Sequence, residues 1–270
     1  MSAAQRRARF RELHAREQLF VMPNPWDAGS ARLLEAAGFE ALATTSAGFA
    51  WSLGKLDGQV AREELVAHVA QLSRATALPL NVDSERCFPD DPGGVAETVA
   101  LLADAGAAGC SIEDWNPVAE KIEDVEVAAA RVADAAEAAH ALDEPLVLTA
   151  RCENHLNGVD DLGDTISRLL AYLDAGADVV YAPGLRELDR IAAVVDAVDA
   201  PVNVLALPGA PSTRELESVG VRRVSTGSLL ASVAYAAFVD GADELLRRGT
   251  SSYAEHGVSR DLLARAFRSG

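Results

Sequence analysis

Two kinds of boundary signal, helix-ending glycines and strand-opening prolines, alternate along the chain and divide it into repeated units of one strand and one helix. In the first kind, a glycine ends an Ala- or Leu-rich segment and precedes an apolar run, as at Gly38, Gly106, Gly176 and Gly220. Glycine alone adopts the positive φ angle of the residue after a helix at little cost. In the second kind, a proline opens an apolar run, at positions 79, 145 and 201. Proline is tolerated as the first residue of a strand.

Eight short apolar runs lie between these signals. They fall near residues 19–23, 41–45, 79–83, 109–113, 145–151, 178–182, 201–206 and 222–226. Continuous apolar strands are typical of a parallel sheet that is buried on both faces. The amphipathic segments between them include 62–76, 94–105, 124–142 and 161–175. Eight alternating units predict an α/β fold, a (β/α)8 barrel of the TIM type. An open doubly wound sheet is the alternative, but no GxGxxG motif follows the first run.

Both ends of the chain are predicted to be helical. Residues 1–18 form a basic amphipathic helix without the apolar h-region of a secretory signal. A helix begins near Ser228 and a further helix covers 252–268, so residues 228–270 are expected to pack on the barrel or on a neighbouring subunit. We expect a single domain over residues 1–270.

The composition argues against several classes of partner. The formal net charge of −17 disfavours nucleic acid and anionic membrane surfaces, because contacts with phosphate need clustered Lys and Arg. No apolar run reaches the roughly 18 residues of a membrane span. Three cysteines without a CxxC spacing favour a reducing compartment over a disulfide framework or a zinc site. We expect a cytoplasmic protein whose partner is a small anionic molecule.

Carboxylates dominate the ends of the third and fourth predicted strands, where barrel enzymes place catalytic groups. Asp83 and Glu85 are two residues apart and project to the same side of an extended chain, while Glu113 ends the adjacent strand. Carboxylates this close repel one another and take up protons or a cation. Hard oxygen ligands suit Mg2+, with Mn2+ possible. The alternative, that Asp83 and Glu113 only cap loops or form ion pairs, stays equally open.

Other strand ends offer groups that can bind an anion. Arg151 ends the fifth strand inside an apolar run, and a buried guanidinium needs an anionic partner, either a substrate or Glu113 or Glu153. The turn after the second strand contains Thr45, Ser46 and Ala47, whose N–H groups and hydroxyls can cradle an anion.

Further candidates for substrate contact are Trp26 after the first strand, His155 after the fifth and Asn203 in the seventh. His14, His68, His140 and His256 fall on predicted helices and are interpreted as surface or packing residues. Cys87 and Cys152 lie near strand ends, but no histidine is placed to activate them.

The strand-end residues together resemble the phosphoenolpyruvate mutase / isocitrate lyase superfamily. The segments that carry the resemblance are PNPWDAGSARLLEAAGFEALATTSAGFAWSLGKLDG, PLNVDSE, GCSIEDW, LTARCENHLNG, AGADVVYAPGL and VRRVSTGS. The resemblance implies a Mg2+-dependent barrel that works through an enolpyruvate-like or enolate-like intermediate. It also implies a homotetramer, a dimer of dimers, in which a C-terminal helix is swapped between neighbouring subunits.

The resemblance also implies roles for single residues. Asp83 matches the direct metal ligand, Glu85 and Glu113 match ligands that act directly or through water, and Asp57 matches a catalytic aspartate near the metal. The turn at 45–47 matches the one that binds the substrate's carboxylate. By the same resemblance, Arg151 matches the arginine that grips the substrate anion.

The chain departs from the family in the loop after the fourth strand. Isocitrate and methylisocitrate lyases carry K-K-C-G-H there and phosphoenolpyruvate mutases carry K-T-N, but this loop reads NPVAEKI from Asn116 to Ile122. Lys121 is the candidate remnant of the catalytic lysine. A familiar His or Glu after the sixth strand is replaced around Pro183.

The chain keeps the predicted metal ligands and anion-binding groups but lacks the loop that defines a known reaction. These groups favour cleavage of the bond next to the 2-oxo group of a 2-oxo acid, because CO2 can leave without a proton from a protein acid. The leading hypothesis is a Mg2+-dependent lyase or decarboxylase for a small 2-oxo or 2-hydroxy dicarboxylate. One alternative is C–P chemistry, as in a phosphonopyruvate hydrolase or a mutase. Others are a metal-independent barrel that binds a phosphorylated metabolite at Ser225–Ser228, and a non-catalytic binding protein.

Overall fold

The computed structural model describes residues 1–268, and its central feature is one sheet of eight parallel strands. The strands, with a small hairpin, are β1 (Phe20–Met22), β2 (Leu42–Ala43), β3 (Leu80–Asp83), β4 (Gly109–Glu113), β5 (Trp115–Asn116), β6 (Lys121–Ile122), β7 (Val147–Arg151), β8 (Val179–Tyr181), β9 (Val202–Leu205) and β10 (Arg223–Ser225). The order around the sheet is β1-β10-β9-β8-β7-β4-β3-β2, and β5 pairs with β6 alone. Between the two ends of the sheet, the N–H of Ala43 donates to the carbonyl of Pro23 at 3.0 Å. The sheet is therefore a nearly closed barrel, and the predicted fold is confirmed.

Helices surround the barrel in the predicted alternation. They are α1 (Ala3–Ala15), α2 (Ala28–Ala37), α3 (Ser46–Ser52), α4 (Arg62–Ala75), α5 (Gly94–Asp104), α6 (Val125–His140), α7 (Leu162–Asp174), α8 (Leu188–Ala197), α9 (Thr213–Ser218), α10 (Leu229–Arg248) and α11 (Arg260–Ala266). Short 3-10 turns cover Asn154–Asn157 and Ser252–His256. Gly38 and Gly106, two of the predicted helix-ending glycines, both have φ of 100°, as the sequence interpretation requires.

The predicted single helix over 252–268 is wrong in its continuity. Gly257 adopts an extended conformation after the 3-10 turn at Ser252–His256. The side chain of Ser259 then accepts a hydrogen bond from the N–H of Leu262 and begins α11. A serine cap starts a new helix because its hydroxyl satisfies a free backbone donor. Within the chain, α11 packs against α2, so the swapped arrangement stays a prediction.

The apolar core lies in two places. The larger part fills the space between the strands and the outer helices, and includes Leu72, Leu102 and Leu148. The smaller part closes the amino-terminal end of the barrel, where Phe10 and Leu13 of α1 pack with Phe20. α1 therefore covers the end of the barrel that lies opposite the carboxyl ends of the strands.

The helix α10 is poorly covered compared with the others. Only Ala231 and Gly241 of its twenty residues are buried, while Val233 is 67% exposed and Phe238 is 73% exposed. None of the helices in the described part, residues 1–268, is both long enough and apolar enough for a membrane crossing.

Candidate active site

A cavity of about 170 Å³ opens at the carboxyl ends of the barrel strands. A second cavity of about 280 Å³ lies beside it and towards the solvent. We call them the inner cavity and the outer cavity. Ser46, Asp57, Arg151 and Leu156 line both. Since a barrel enzyme binds its substrate at this end, the two cavities form the candidate active site.

Arg151, the last residue of β7, connects three carboxylates. Its Nη1 lies 2.6 Å from Oδ1 of Asp83, its Nη2 3.1 Å from Oε2 of Glu113, and its Nε 2.8 Å from Oε1 of Glu153. The Arg151 side chain is 14% exposed and Glu153 is 5% exposed. The ion pairs with Glu113 and Glu153 that the sequence left as an alternative are both present, together with one to Asp83. The charge of the guanidinium is thus more than balanced by its neighbours.

The turn after β2 holds Asp83 from the other side. Oδ2 of Asp83 accepts a hydrogen bond from the backbone N–H of Ser46 at 3.1 Å, and the N–H of Asp83 donates to Oγ1 of Thr44 at 2.8 Å. Thr45 caps α3 by accepting from the N–H of Gly48 at 3.3 Å. Thr45, Ser46 and Ala47 all line the inner cavity. The predicted anion turn and the predicted metal ligand are therefore in direct contact.

The carboxyl groups that line the outer cavity outnumber its positively charged groups. Burial, helped by the charges of Asp83 and Asp57, raises the pKa of Glu85 to about 7. Burial also raises the pKa of Glu113 well above its usual value, although Arg151 opposes this. The residue Asp57 lies on an exposed loop, yet partial enclosure of its carboxyl group and the charge of Asp83 raise its pKa as well. Raised pKa values in neighbouring acids mark a site that favours protons or a cation.

The backbone after β3 is strained where it presents Glu85. Glu85 has φ of 50°, Cys87 63° and Phe88 48°, which side-chain-bearing residues rarely adopt. The carbonyl of Glu85 accepts a hydrogen bond from the N–H of Glu113 at 2.9 Å, so this conformation ties the two glutamates together. Local strain of this kind concentrates at functional sites.

The donor set fits a divalent cation that keeps part of its water. Within residues 1–268, no three His, Cys, Asp or Glu side chains converge as a ready-made metal site. Mg2+ is usually held by one or two carboxylates and several waters. The outer cavity is lined by Asp57, Glu85, Glu113 and Glu153 with Arg151 as its one cation, and Asp83 lies next to it. Oxygen donors in excess of positive charge are what Mg2+ or Mn2+ requires.

Three predicted site residues lie away from both cavities. Lys121 is exposed in β6. The Cβ of Trp26 lies 3.2 Å from the position that a Cβ would take at Gly48. His155 turns towards α7, where its Nε2 lies 3.1 Å from Oγ1 of Thr165. Asn203 does line the inner cavity, and its Nδ2 donates to Oγ of Ser225 at 2.9 Å.

Tyr181 and Arg223, which the sequence interpretation did not select, also belong to the site. The guanidinium carbon of Arg151 lies 5.5 Å from the ring centre of Tyr181, which fits a cation–π contact. Arg223 lines the inner cavity although it is 1% exposed. The alternation of side chains along a strand was the available signal for Arg223, because it places Arg223 on the same face as Ser225.

The turn proposed as an alternative phosphate site is already filled. Oδ1 of Asn24 accepts hydrogen bonds from the N–H groups of Thr226 and Gly227, each at 2.9 Å. A phosphate at Ser225–Ser228 would have to displace this asparagine. The geometry therefore disfavours the phosphate-binding alternative.

The loop that departs from the family forms the hairpin β5–β6, and Glu123 anchors its end. Arg86 donates to Oε1 of Glu123 at 2.6 Å, Arg131 contacts Oε2, and Nδ2 of Asn116 donates to Oε1 at 3.1 Å. The hairpin contains no cysteine or histidine that could act as a proton donor. Cys87 and Cys152 are buried, and burial raises the pKa of both thiols.

A family model described as phosphoenolpyruvate phosphomutase matches residues 10–246. The chain belongs to this family. A solved structure from Burkholderia cenocepacia J2315, described as a lyase/mutase candidate, superimposes with a TM-score of 0.94 at 49% identity, over 99% of this chain and 97% of that one. The oxaloacetate decarboxylase of Paraburkholderia xenovorans (strain LB400) is 34% identical over 96% of this chain and 89% of its own length. A 2-methylisocitrate lyase of Halalkalibacterium halodurans is 30% identical over 72% of this chain and 65% of its own length.

Membership of the phosphoenolpyruvate phosphomutase family confirms the predicted superfamily. The names of relatives that are at least 30% identical include a lyase and a decarboxylase, and the family model is described as a phosphomutase. The chain is accordingly an enzyme of a family that contains lyases and mutases. Which of these reactions it catalyses depends on the site.

Proposed function

We propose that this protein is a Mg2+-dependent enzyme that cleaves a carbon–carbon bond of a small 2-oxo or 2-hydroxy dicarboxylate, with decarboxylation of an oxaloacetate-like acid as the leading reaction. The observation that carries the proposal is the cluster of Asp83, Glu113 and Glu153 around Arg151 at the mouth of a polar cavity. This arrangement offers a cation site and a cavity for an oxygen-rich acid side by side.

Separate groups of residues would bind the metal and orient the substrate. Asp83 and Glu113, with Glu85 and Asp57 acting through water, would hold the metal, while Thr45, Ser46 and Ala47 would orient the substrate's carboxylate beside Arg151. When bound, Mg2+ supplies a Lewis acid that stabilises negative charge on the 2-oxo oxygen. The raised pKa of Glu85 in the metal-free site fits a carboxyl group that releases its proton when the cation binds.

The missing proton donor favours decarboxylation over a reaction that needs a protein acid on the leaving group. The hairpin β5–β6 replaces the loop that carries the lyase cysteine, and Lys121 is exposed on it. Carbon dioxide leaves without protonation, so the remaining enolate needs one proton only after the bond has broken. A water molecule that enters through the outer cavity would supply this proton.

The proposal is tested by pyruvate release from purified protein with and without Mg2+. The panel is oxaloacetate, 2,3-dimethylmalate, methylisocitrate and phosphonopyruvate, with a phosphate readout for the last. Metal-dependent turnover of oxaloacetate or another C–C substrate is expected. Turnover of phosphonopyruvate alone would replace the proposal by C–P chemistry, and turnover that survives chelation would remove the metal from it.

A substitution at Asp83 tests the site itself. Asp83→Asn is expected to lower metal-dependent turnover by at least about 100-fold, because it removes a charge that both the metal and Arg151 use. The control is Asp143→Asn, at an exposed aspartate far from the cavity, which is expected to keep full turnover. Full activity of Asp83→Asn would contradict the assignment.

A further inference from the structure

The turn that presents Glu85 lies beyond the paired part of its strand. The pairing of β3 with β4 ends at Asp83 and Ser111, and three residues of the turn that follows have positive φ angles. Such a backbone persists only where the surrounding structure holds it. One link is the hydrogen bond from the N–H of Glu113 to the carbonyl of Glu85, at 2.9 Å. A buried arginine behind the two strands provides further links.

Arg131 of α6 contacts the backbone of both segments. Its Nη1 donates to the carbonyl of Arg86 at 3.1 Å, and its Nη1 and Nη2 each donate to the carbonyl of Glu113 at 3.2 Å. Arg86 directly follows Glu85 in the turn, so one guanidinium joins the turn to the end of β4. Arg131 is only 8% exposed, and the fixed fork of its donors makes this link a rigid one.

Glu123 orients this guanidinium and connects it to the hairpin β5–β6. Its Oε2 contacts Nη2 of Arg131, and its Oε1 accepts from Nη2 of Arg86 at 2.6 Å. Hydrogen bonds between charged groups of this kind are strong and directional. We call Arg86, Glu123 and Arg131 the clamp. The N–H of Glu123 also donates to the carbonyl of Asp114 at 2.9 Å, so the clamp joins the turn after β3, the end of β4 and the end of the hairpin.

The clamp acts on the candidate active site through the backbone. None of its three side chains lines the inner or the outer cavity. The segments that it joins do line the outer cavity, through Glu85 and Glu113 and through Trp115 and Pro117 of the hairpin. The clamp therefore holds the walls of the outer cavity without facing a ligand in it.

Arg6 shows what a buried arginine does when it serves the fold alone. It is 9% exposed, and its Nη1 donates to the carbonyls of Ser73 and Thr76 at 2.6 Å and 3.3 Å. This link resembles that of Arg131, but it lies at the end of α4 and touches neither segment that carries a cavity glutamate. The two arginines thus differ in what they hold, and a comparison of the two separates stability from positioning.

We propose that Arg131 is a positioning residue for the divalent-cation site, which holds Glu85 and Glu113 in place before the cation binds. The inference rests on the proposed function, in which these two glutamates help to hold Mg2+ or Mn2+. Without the guanidinium, the carbonyls of Arg86 and Glu113 would lose a buried donor, and the turn would be free to relax from its positive φ angles. Groups that orient metal ligands typically contribute about 10- to 100-fold to metal affinity.

The test measures Mn2+ binding to purified metal-free protein, through the electron paramagnetic resonance signal of free Mn2+. Arg131→Met is expected to weaken Mn2+ binding roughly 10- to 100-fold. Arg131→Lys should recover part of this loss, because an ammonium keeps the charge opposite Glu123 but cannot reproduce the planar fork. Arg6→Met is the matched control. It should lower the melting temperature, because it also removes a buried link between two carbonyls, and leave the affinity for Mn2+ unchanged.

Thermal melts of the same variants separate positioning from stability. A role in stability alone predicts that Arg131→Met melts earlier yet binds Mn2+ as tightly as the wild type, and this result would overturn the inference. If Arg131→Met does not fold, Arg131→Lys decides, with an expected loss of roughly 3- to 10-fold and with wild-type affinity as the contradicting result. A wild type that binds no Mn2+ would instead contradict the proposed function, so the two failures are distinguishable.

Discussion

Glu85 shows how a single residue links backbone strain, charge and chemistry. It occupies a left-handed backbone conformation with φ of 50°, and burial beside Asp83 and Asp57 raises its pKa to about 7 from 4.5. The folded chain therefore binds a proton on Glu85 more tightly than the unfolded chain does between these two pH values. By linkage, Glu85 makes the free energy of unfolding fall as pH rises through this window.

We predict that Glu85→Gln removes this part of the pH dependence in metal-free protein. The melting temperature of the variant should exceed that of the wild type by an amount that grows from pH 5 to pH 8, because only the wild type must bury a new charge. Thermal melts in EDTA measure the difference. Addition of Mg2+ should raise the melting temperature of the wild type most strongly at the higher pH, where Glu85 is ionised. A difference that stays constant with pH would contradict the prediction.

Single residues were also where sequence reasoning reached its limit. Asp83, Glu113 and Arg151 were predictable, because they end apolar strands and the barrel brings strand ends together. The same reasoning could not orient side chains in loops, so it did not show that His155 turns towards Thr165 or that Lys121 is exposed. Strand alternation separates the buried Arg223 from the adjacent Arg222, but it does not show which groups the buried guanidinium contacts.

The strand β4 packs closely against its neighbours at Gly109. A Cβ at Gly109 would lie 2.7 Å from Cε1 of Phe10, 2.7 Å from the carbonyl oxygen of Val147 and 2.9 Å from Oδ1 of Asn81. The first and second of these belong to α1 and β7, so Gly109 allows the barrel strands and the closing helix to meet. The apolar run around Gly109 predicted the strand, but not this packing requirement.

We predict that Gly109→Ala lowers the free energy of unfolding by about 1–3 kcal/mol, the usual cost of overpacking a core. The matched control is Gly163→Ala in α7, where a Cβ would lie 3.4 Å from Oδ1 of Asp161, an ordinary contact. This control should be neutral or slightly stabilising, since alanine favours the helix. Urea unfolding of both variants measures the effect. Equal stabilities would show that α1 moves away freely.

At the scale of the whole molecule, the chain combines a net charge of −17 with an uncovered apolar helix. Val233, Phe238, Val239 and Leu246 of α10 are each at least 60% exposed. Exposed apolar surface of this extent commonly marks a protein interface. It agrees with the homo-oligomer that the resemblance implies, which a single chain leaves as a prediction.

We predict that Val233→Asp shifts the protein towards smaller species in analytical ultracentrifugation, because the new carboxylate would be buried in the interface. Val127→Asp is the matched control, since Val127 is 51% exposed on α6, away from α10. The control should keep the assembly of the wild type. A monomeric wild type, or equal behaviour of the two variants, would remove α10 from any interface.

The polar floor beneath Arg151 also has a consequence for how this protein can be improved or can evolve. Positions that most barrels use for stability are occupied here by Asn81, Ser111 and Arg223. Aliphatic replacements at these positions would be attractive to any selection for heat resistance, yet they would remove polar groups that line the inner cavity. Thermal tolerance gained inside the barrel would then be lost as substrate recognition, while tolerance gained between the strands and the outer helices would leave recognition intact. Variants selected for heat alone should therefore accumulate changes in the interior, and variants selected for heat and turnover together should leave it untouched.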